Sequence, residues 1–128
     1  MSVAQQLVLV AMGGAVGAIA RYGATLITHH MLGRDFPYGT LLVNVLGSFA
    51  IGIFFVVFVE RVAQDSPLRL LLIVGVLGAF TTFSTFSLDT LSLIERGALS
   101  AAVINVLVNV ALCLAACWVG LAAARELI

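Results

Sequence analysis

Amides, hydroxyls, thiols and arginines recur at helical spacing through otherwise apolar sequence, and these are the side chains able to do chemistry. Asn105, Asn109 and Cys113 follow an i, i+4, i+8 stripe along one helix face, with Ser100 near its entrance. The run Thr81-Thr82-Phe83-Ser84-Thr85-Phe86-Ser87 carries two phenylalanines three apart, which share a face with hydroxyls between and beside them. Asn44 stands alone between Gly39-Thr40 and Gly47, and Arg21 follows Gly13 and Gly17 at intervals of four. Neutral donors replace the hydration of a small anion without trapping it, and the edge of an aromatic ring is positive. The set therefore suits passage of a small anion or small polar solute. Each residue has an ordinary alternative: amides bond to neighbouring helices, phenylalanines pack, and an arginine near a helix end snorkels to the interface.

The missing residues narrow the chemistry further. No Asp or Glu precedes Asp35, none lies in the middle of the first, second or fourth apolar segment, and there is no lysine. Coupling to protons or cations through a buried carboxylate thus has little support. His29 and His30 are adjacent, point to different faces and lie near a helix end, which suits interfacial histidines better than haem or metal ligands. Cys113 and Cys117, four apart in an apolar run, read as small packing residues rather than a disulfide or metal pair. Hydrolase and phosphate-loop signatures are absent and no acid–base pair is evident, so the reading is that the protein is not an enzyme.

The elements that position these residues follow from composition. Of 128 residues, 62% are hydrophobic and 9% charged, and mean hydropathy is +1.21. A soluble domain carries roughly a quarter of its residues as charges, so lipid is the expected solvent. Formal net charge is zero and the six basic residues are all arginine, which implies no nucleic-acid partner. A membrane core about 30 Å thick takes about 20 helical residues per crossing, which leaves room for four spans in a single transmembrane domain over residues 1–128.

Charges and turn formers place those spans at about Val3 to Met31, Tyr38 to Val59, Leu68 onward, and Ala98 to Ala124. The first reads as a retained span, not a signal peptide. The second ends at Glu60-Arg61, with Gln64-Asp65-Ser66-Pro67 as the following turn; Pro67 suits the first position of a helix. Leu68 to Phe80 is too short to cross alone, and Gly75 and Gly78 lead into the hydroxyl run before Leu88 to Ile94 continues, with Asp89 inside it. The third span is expected to be broken near its middle, tolerable only where the freed backbone is buried in protein, lines a polar cavity or binds an ion. With four spans, Arg61, Arg69 and Arg125 fall on one side and Arg21, Arg34 and Arg96 on the other, so the positive-inside bias is near zero. Such balance permits insertion both ways and an antiparallel dimer; a single orientation set by a partner is the alternative.

The residues quoted above also carry a resemblance. Gly13, Gly17 and Arg21, then Gly39-Thr40, Asn44 and Gly47, and most specifically Gly75, Gly78 and Thr81-Thr82-Phe83-Ser84-Thr85-Phe86-Ser87, resemble the Fluc (CrcB) family of bacterial fluoride channels across all four helices. The resemblance implies an all-α integral membrane protein of the bacterial inner membrane, an antiparallel dual-topology homodimer with two narrow pathways and passive export of cytoplasmic fluoride. It implies a structural Na+ at the dimer centre, held by the backbone carbonyls of Gly78 and Thr81, each contributed twice. By the same resemblance Phe83 and Phe86 are a phenylalanine box lining the path, Asn44 is the pore-facing asparagine, and Ser84 and Thr85 form the adjoining hydroxyl track. Asn105, Asn109 and Cys113 would supply the polar lining of the fourth span, where Cys113 departs from a hydroxyl, and Arg21 would sit near an aqueous vestibule. The rivals are a small multidrug-type dual-topology exporter, whose first-span glutamate is missing here, and a non-transporting assembly subunit whose polar residues only join helices.

Overall fold

The computed structural model describes residues 1–61 and 65–128; Gln64, part of the turn expected after Arg61, lies outside the described residues. Among the described residues, four helices are long and apolar enough to cross a membrane: Val3–Leu32, Tyr38–Arg61, Pro67–Glu95 and Leu99–Leu127. The first begins at Ser2, whose Oγ accepts from the Gln5 amide at 3.2 Å while Gln5 Oε1 accepts from the Ser2 amide at 2.9 Å. That reciprocal capping box satisfies two of the donors a helix start leaves open. The helix stops at Gly33, where φ is +79° and the amide returns to His29 at 3.1 Å.

Glycine sets which helices touch. A Cβ on Gly13 would run into the Leu71 carbonyl and one on Gly17 into the Val76 carbonyl, while a Cβ on Gly75 would stand 2.8 Å from Gly13 Cα. The first span therefore lies backbone against backbone on the N-terminal half of the third, the close approach that a pair of glycines four apart permits. In the same way Gly52 faces the Cys117 carbonyl and Gly120 the Phe49 carbonyl, which seats the second span on the fourth. The contact face of the third span is wound as a wider π-helix over Leu70–Leu77, and the second span widens similarly over Val56–Arg61. Such i→i+5 turns are uncommon and recur at functional sites.

The third span begins with Pro67 in the first helical turn, after Ser66. Helical structure runs through Gly78–Phe80 and resumes over Phe83–Glu95. Between them Thr81 (φ −83°, ψ 155°) and Thr82 (φ −153°, ψ 115°) are extended. Gly97, at φ +78°, turns the chain into the fourth span. The interior is small: Val43, Val56, Leu93 and Asn105 are its largest fully buried side chains, and large apolar residues such as Ile19, Met31 and Trp118 face outward. An outward surface of this composition suits lipid as its solvent. At the ends of the second and fourth spans, Arg125 and Glu60 pair at 2.6 Å.

Candidate functional site

Thr82 is the centre of the polar seam. It is buried and extended, so its peptide cannot rely on helical partners, and threonine at this position caps the helix that follows: Oγ1 accepts from the Thr85 amide at 3.2 Å. The same hydroxyl lies 3.0 Å from Thr85 Oγ1 and 3.3 Å from Ser84 Oγ. Thr81 closes the preceding helix, its amide and hydroxyl both donating to the Leu77 carbonyl at 3.1 and 2.9 Å. Gly47 makes room for this turn, because a Cβ there would collide with Thr81 Cγ2.

Asn44 holds the turn from the second span. Its Oδ1 accepts from the Thr82 amide at 2.8 Å and its Nδ2 donates to the Thr82 carbonyl at 3.1 Å. Nδ2 also reaches Asn109 Oδ1 at 3.4 Å. On the fourth span Asn109 Nδ2 donates to the Asn105 carbonyl at 2.9 Å and to Asn105 Oδ1 at 3.0 Å, and Asn105 Nδ2 donates to Thr90 Oγ1 at 3.0 Å. Thr90 in turn donates to the Phe86 carbonyl at 2.8 Å. Side-chain amides in an apolar surround are costly unless occupied, and here three of them occupy one another.

Two cavities meet at Thr82. The larger, about 450 Å³, is walled by Asn44, Gly47, Ser48, Phe83, Phe86, Asn109 and Cys113 among others, and by Gly78 and Thr81 at the turn. The smaller, about 220 Å³, is lined by Arg21, Tyr22, Thr25, Thr40, Thr82 and Thr85 with Ala18 and Val43. The structure thus brings Asn44, Phe83, Phe86, Asn109, Cys113, Gly78 and Thr81 to one cavity and Arg21 and Thr85 to the other. Ser84 is exposed and lines neither of them, and Asn105 is fully buried behind Asn109, also outside both. The rings of Phe83 and Phe86 are 5.4 Å apart and tilted by 51°, yet Phe86 is 8% exposed and Phe83 78%. Phe83 therefore projects from the single chain.

Sequence reasoning singled out neither Thr82 as the cap nor Thr90, and it missed Ser48, which lines the larger cavity one helical turn after Asn44. That i, i+4 relation was the available signal. It also missed the bond from Thr40 Oγ1 to Asp89 Oδ2, 2.7 Å, which joins the start of the second span to the C-terminal half of the third. Asp89 is a carboxylate in a membrane-length helix and needs a donor; Thr40 follows Gly39, but nothing in spacing alone pairs two residues so far apart.

A small helical membrane protein with a polar seam buried between its spans is the class that this geometry defines. A family model described as "CrcB-like protein, Camphor Resistance (CrcB)" matches residues 8–121. The chain is 52% identical over 121 residues to the fluoride-specific ion channel FluC of Methylococcus capsulatus, an alignment covering 94% of this chain and 53% of that protein. It is 50% identical over 120 residues to the protein of that name from Magnetococcus marinus, covering 94% and 98%, and 43% identical over 122 residues to that of Coxiella burnetii, again 94% and 98%. The chain belongs to the CrcB family.

Proposed function

We propose that the protein is a fluoride-selective ion channel of the bacterial inner membrane that passively exports cytoplasmic fluoride and so confers fluoride resistance. As a member of a channel family it is not an enzyme. The observation that carries the reading is the wall of the larger cavity, where Asn44, Asn109 and the Phe83–Phe86 pair converge beside the capped turn. Polar ring edges and neutral donors in an apolar recess can replace the hydration of a small anion, and with no coupling carboxylate on that wall the flow is downhill. Neutral HF enters cells from acidic surroundings and dissociates inside, so a passive exit for the trapped anion is sufficient.

The working unit is an antiparallel dual-topology homodimer with two pathways. In support, Phe83 stands out from the single chain and the arginines are evenly shared between the two ends. A central Na+ fits the third-span break. In a continuous helix the Thr82 amide would return to Gly78 and the Thr85 amide to Thr81; here they go to Asn44 Oδ1 and Thr82 Oγ1 instead. The carbonyls of Gly78 and Thr81 are left without those donors, and hard backbone oxygens suit Na+. When bound, the ion supplies positive charge at the dimer centre and a partner for those carbonyls. Equal dimer stability after exhaustive Na+ removal would count against it.

The assembly-subunit reading keeps one specific support, since the amides of Asn44 and Asn109 are already bonded within the protein. Purified protein in liposomes decides between them: fluoride efflux is followed with an ion-selective electrode under valinomycin, beside a parallel chloride assay. Rapid fluoride loss with little chloride loss is expected. No fluoride loss from folded protein would sink the channel reading.

A further inference from the structure

One chain of hydrogen bonds through the polar seam runs in a single direction. Starting from Thr82 N–H, the donors point in sequence to Asn44 Oδ1 (2.8 Å), Asn109 Oδ1 (3.4 Å), Asn105 Oδ1 (3.0 Å), Thr90 Oγ1 (3.0 Å) and the Phe86 carbonyl (2.8 Å). Amide side chains could in principle be flipped, but a backbone N–H at one end and a backbone carbonyl at the other leave one consistent orientation for every member. Asn44 must face its oxygen to Thr82, which turns its nitrogen to Asn109, and the choice propagates to Asn105 and Thr90. Both ends of the chain belong to the C-terminal half of the third span, at residues flanking Phe83.

We propose that Asn105 and Thr90 are positioning residues: through this one-way chain they set the Phe86 end of the phenylalanine pair and, by way of Asn109, the orientation of Asn44 on the cavity wall. Neither lines either of the two cavities described above, and Asn105 is 0% exposed, so they act through the residues they bond. The proposal rests on the channel reading for its functional consequence and on the bonding chain for its mechanism. The 3.4 Å joint between Asn44 and Asn109 is the longest in the chain and lies at the cavity wall, so slack introduced at Thr90 or Asn105 is taken up where the ion passes.

The test uses full-length protein in liposomes and compares Thr90→Val, which keeps the volume but removes the hydroxyl, with Thr90→Ser, which keeps the hydroxyl. Two readouts are taken: fluoride efflux, and hydrogen–deuterium exchange of the Thr82 amide read by mass spectrometry. Thr90→Val is expected to slow efflux roughly tenfold and to speed Thr82 exchange by a similar factor, the scale of one buried bond lost, with Thr90→Ser like wild type in both. A purely packing role predicts the reverse pattern, with Thr90→Val like wild type and Thr90→Ser, which loses the methyl group, impaired. If Thr90→Val does not fold, Asn105→Leu, which removes the donor of the same Asn105–Thr90 bond, carries both readouts. The proposal is overturned if efflux falls without a change in exchange, if exchange rises without a change in efflux, or if neither moves in folded protein. Wild-type liposomes that release no fluoride would defeat the channel reading instead, and the exchange pattern would still decide whether the chain positions the third span.

Discussion

Replacing Asn44 by leucine tests the central geometric claim, that one side chain of the second span holds both polar groups of the Thr82 peptide. Leucine has similar volume and no hydrogen-bonding atoms, so the Thr82 N–H and carbonyl lose their 2.8 and 3.1 Å partners together. Interhelical hydrogen bonds in membranes average only about 0.6 kcal/mol, which would make the loss about 1–2 kcal/mol. Two features argue for more. Thr82 is only 7% exposed, and its extended backbone removes the helical alternatives that usually rescue such groups. Leaving a buried backbone group unpaired costs about 1–3 kcal/mol, so the expected loss is about 2–6 kcal/mol. Unfolding by sodium dodecyl sulfate, followed by circular dichroism, would measure it. A loss below about 1 kcal/mol would mean that the Thr82 peptide finds other partners and would refute the clamp. The Asn44→Asp variant separates the two bonds: a carboxylate still accepts from the Thr82 N–H but sets oxygen against oxygen at the Thr82 carbonyl, so the variant should be less stable than wild type in the same unfolding assay, and unchanged stability would contradict that geometry.

Other substitutions follow from the packing and the site. Gly17→Leu places a side chain against the Val76 carbonyl and should separate the first span from the third, read as aggregation or loss of a monodisperse peak in size-exclusion chromatography. Phe83→Ile should leave the protein folded, since this ring is the exposed member of its pair, while slowing fluoride efflux roughly tenfold or more if the ring edge faces the ion. Unchanged efflux would remove Phe83 from the path. Glu60→Gln breaks the Arg125 pair, but both side chains are substantially exposed (50% and 32% for Arg125 and Glu60), so the unfolding midpoint in sodium dodecyl sulfate should hardly move.

Much of the architecture was legible because hydropathy and glycine spacing report directly on lipid and on close helix contacts. The expected spans from Val3 and Tyr38 start where the helices start, and Gly13 and Gly17 do sit against another backbone. Periodicity gives the face on which a residue lies and says nothing of what that face meets. For that reason Asn44 could be recognised as a costly amide needing partners, while its partner, the Thr82 peptide, lies in a different helix pair and had no local signature. Asn105 and Asn109 illustrate the same limit. They share one stripe, yet Asn109 borders the larger cavity and Asn105 is sealed behind it, because Thr90 of the third span approaches at that level. The wider winding of Leu70–Leu77 was invisible for a different reason: an apolar run reads the same at either pitch.

The one-way chain has a consequence for the membrane's energy store. Protons hop along files of hydroxyls and waters because each link can reverse its direction as the charge passes. Here three successive links are side-chain amides, which do not exchange a proton readily, and both termini are peptide groups that cannot turn round. The seam can therefore be polar across three helices without offering protons a wire. The passive pore proposed above, built on such a seam, opens the bilayer to an anion while the proton gradient stays intact.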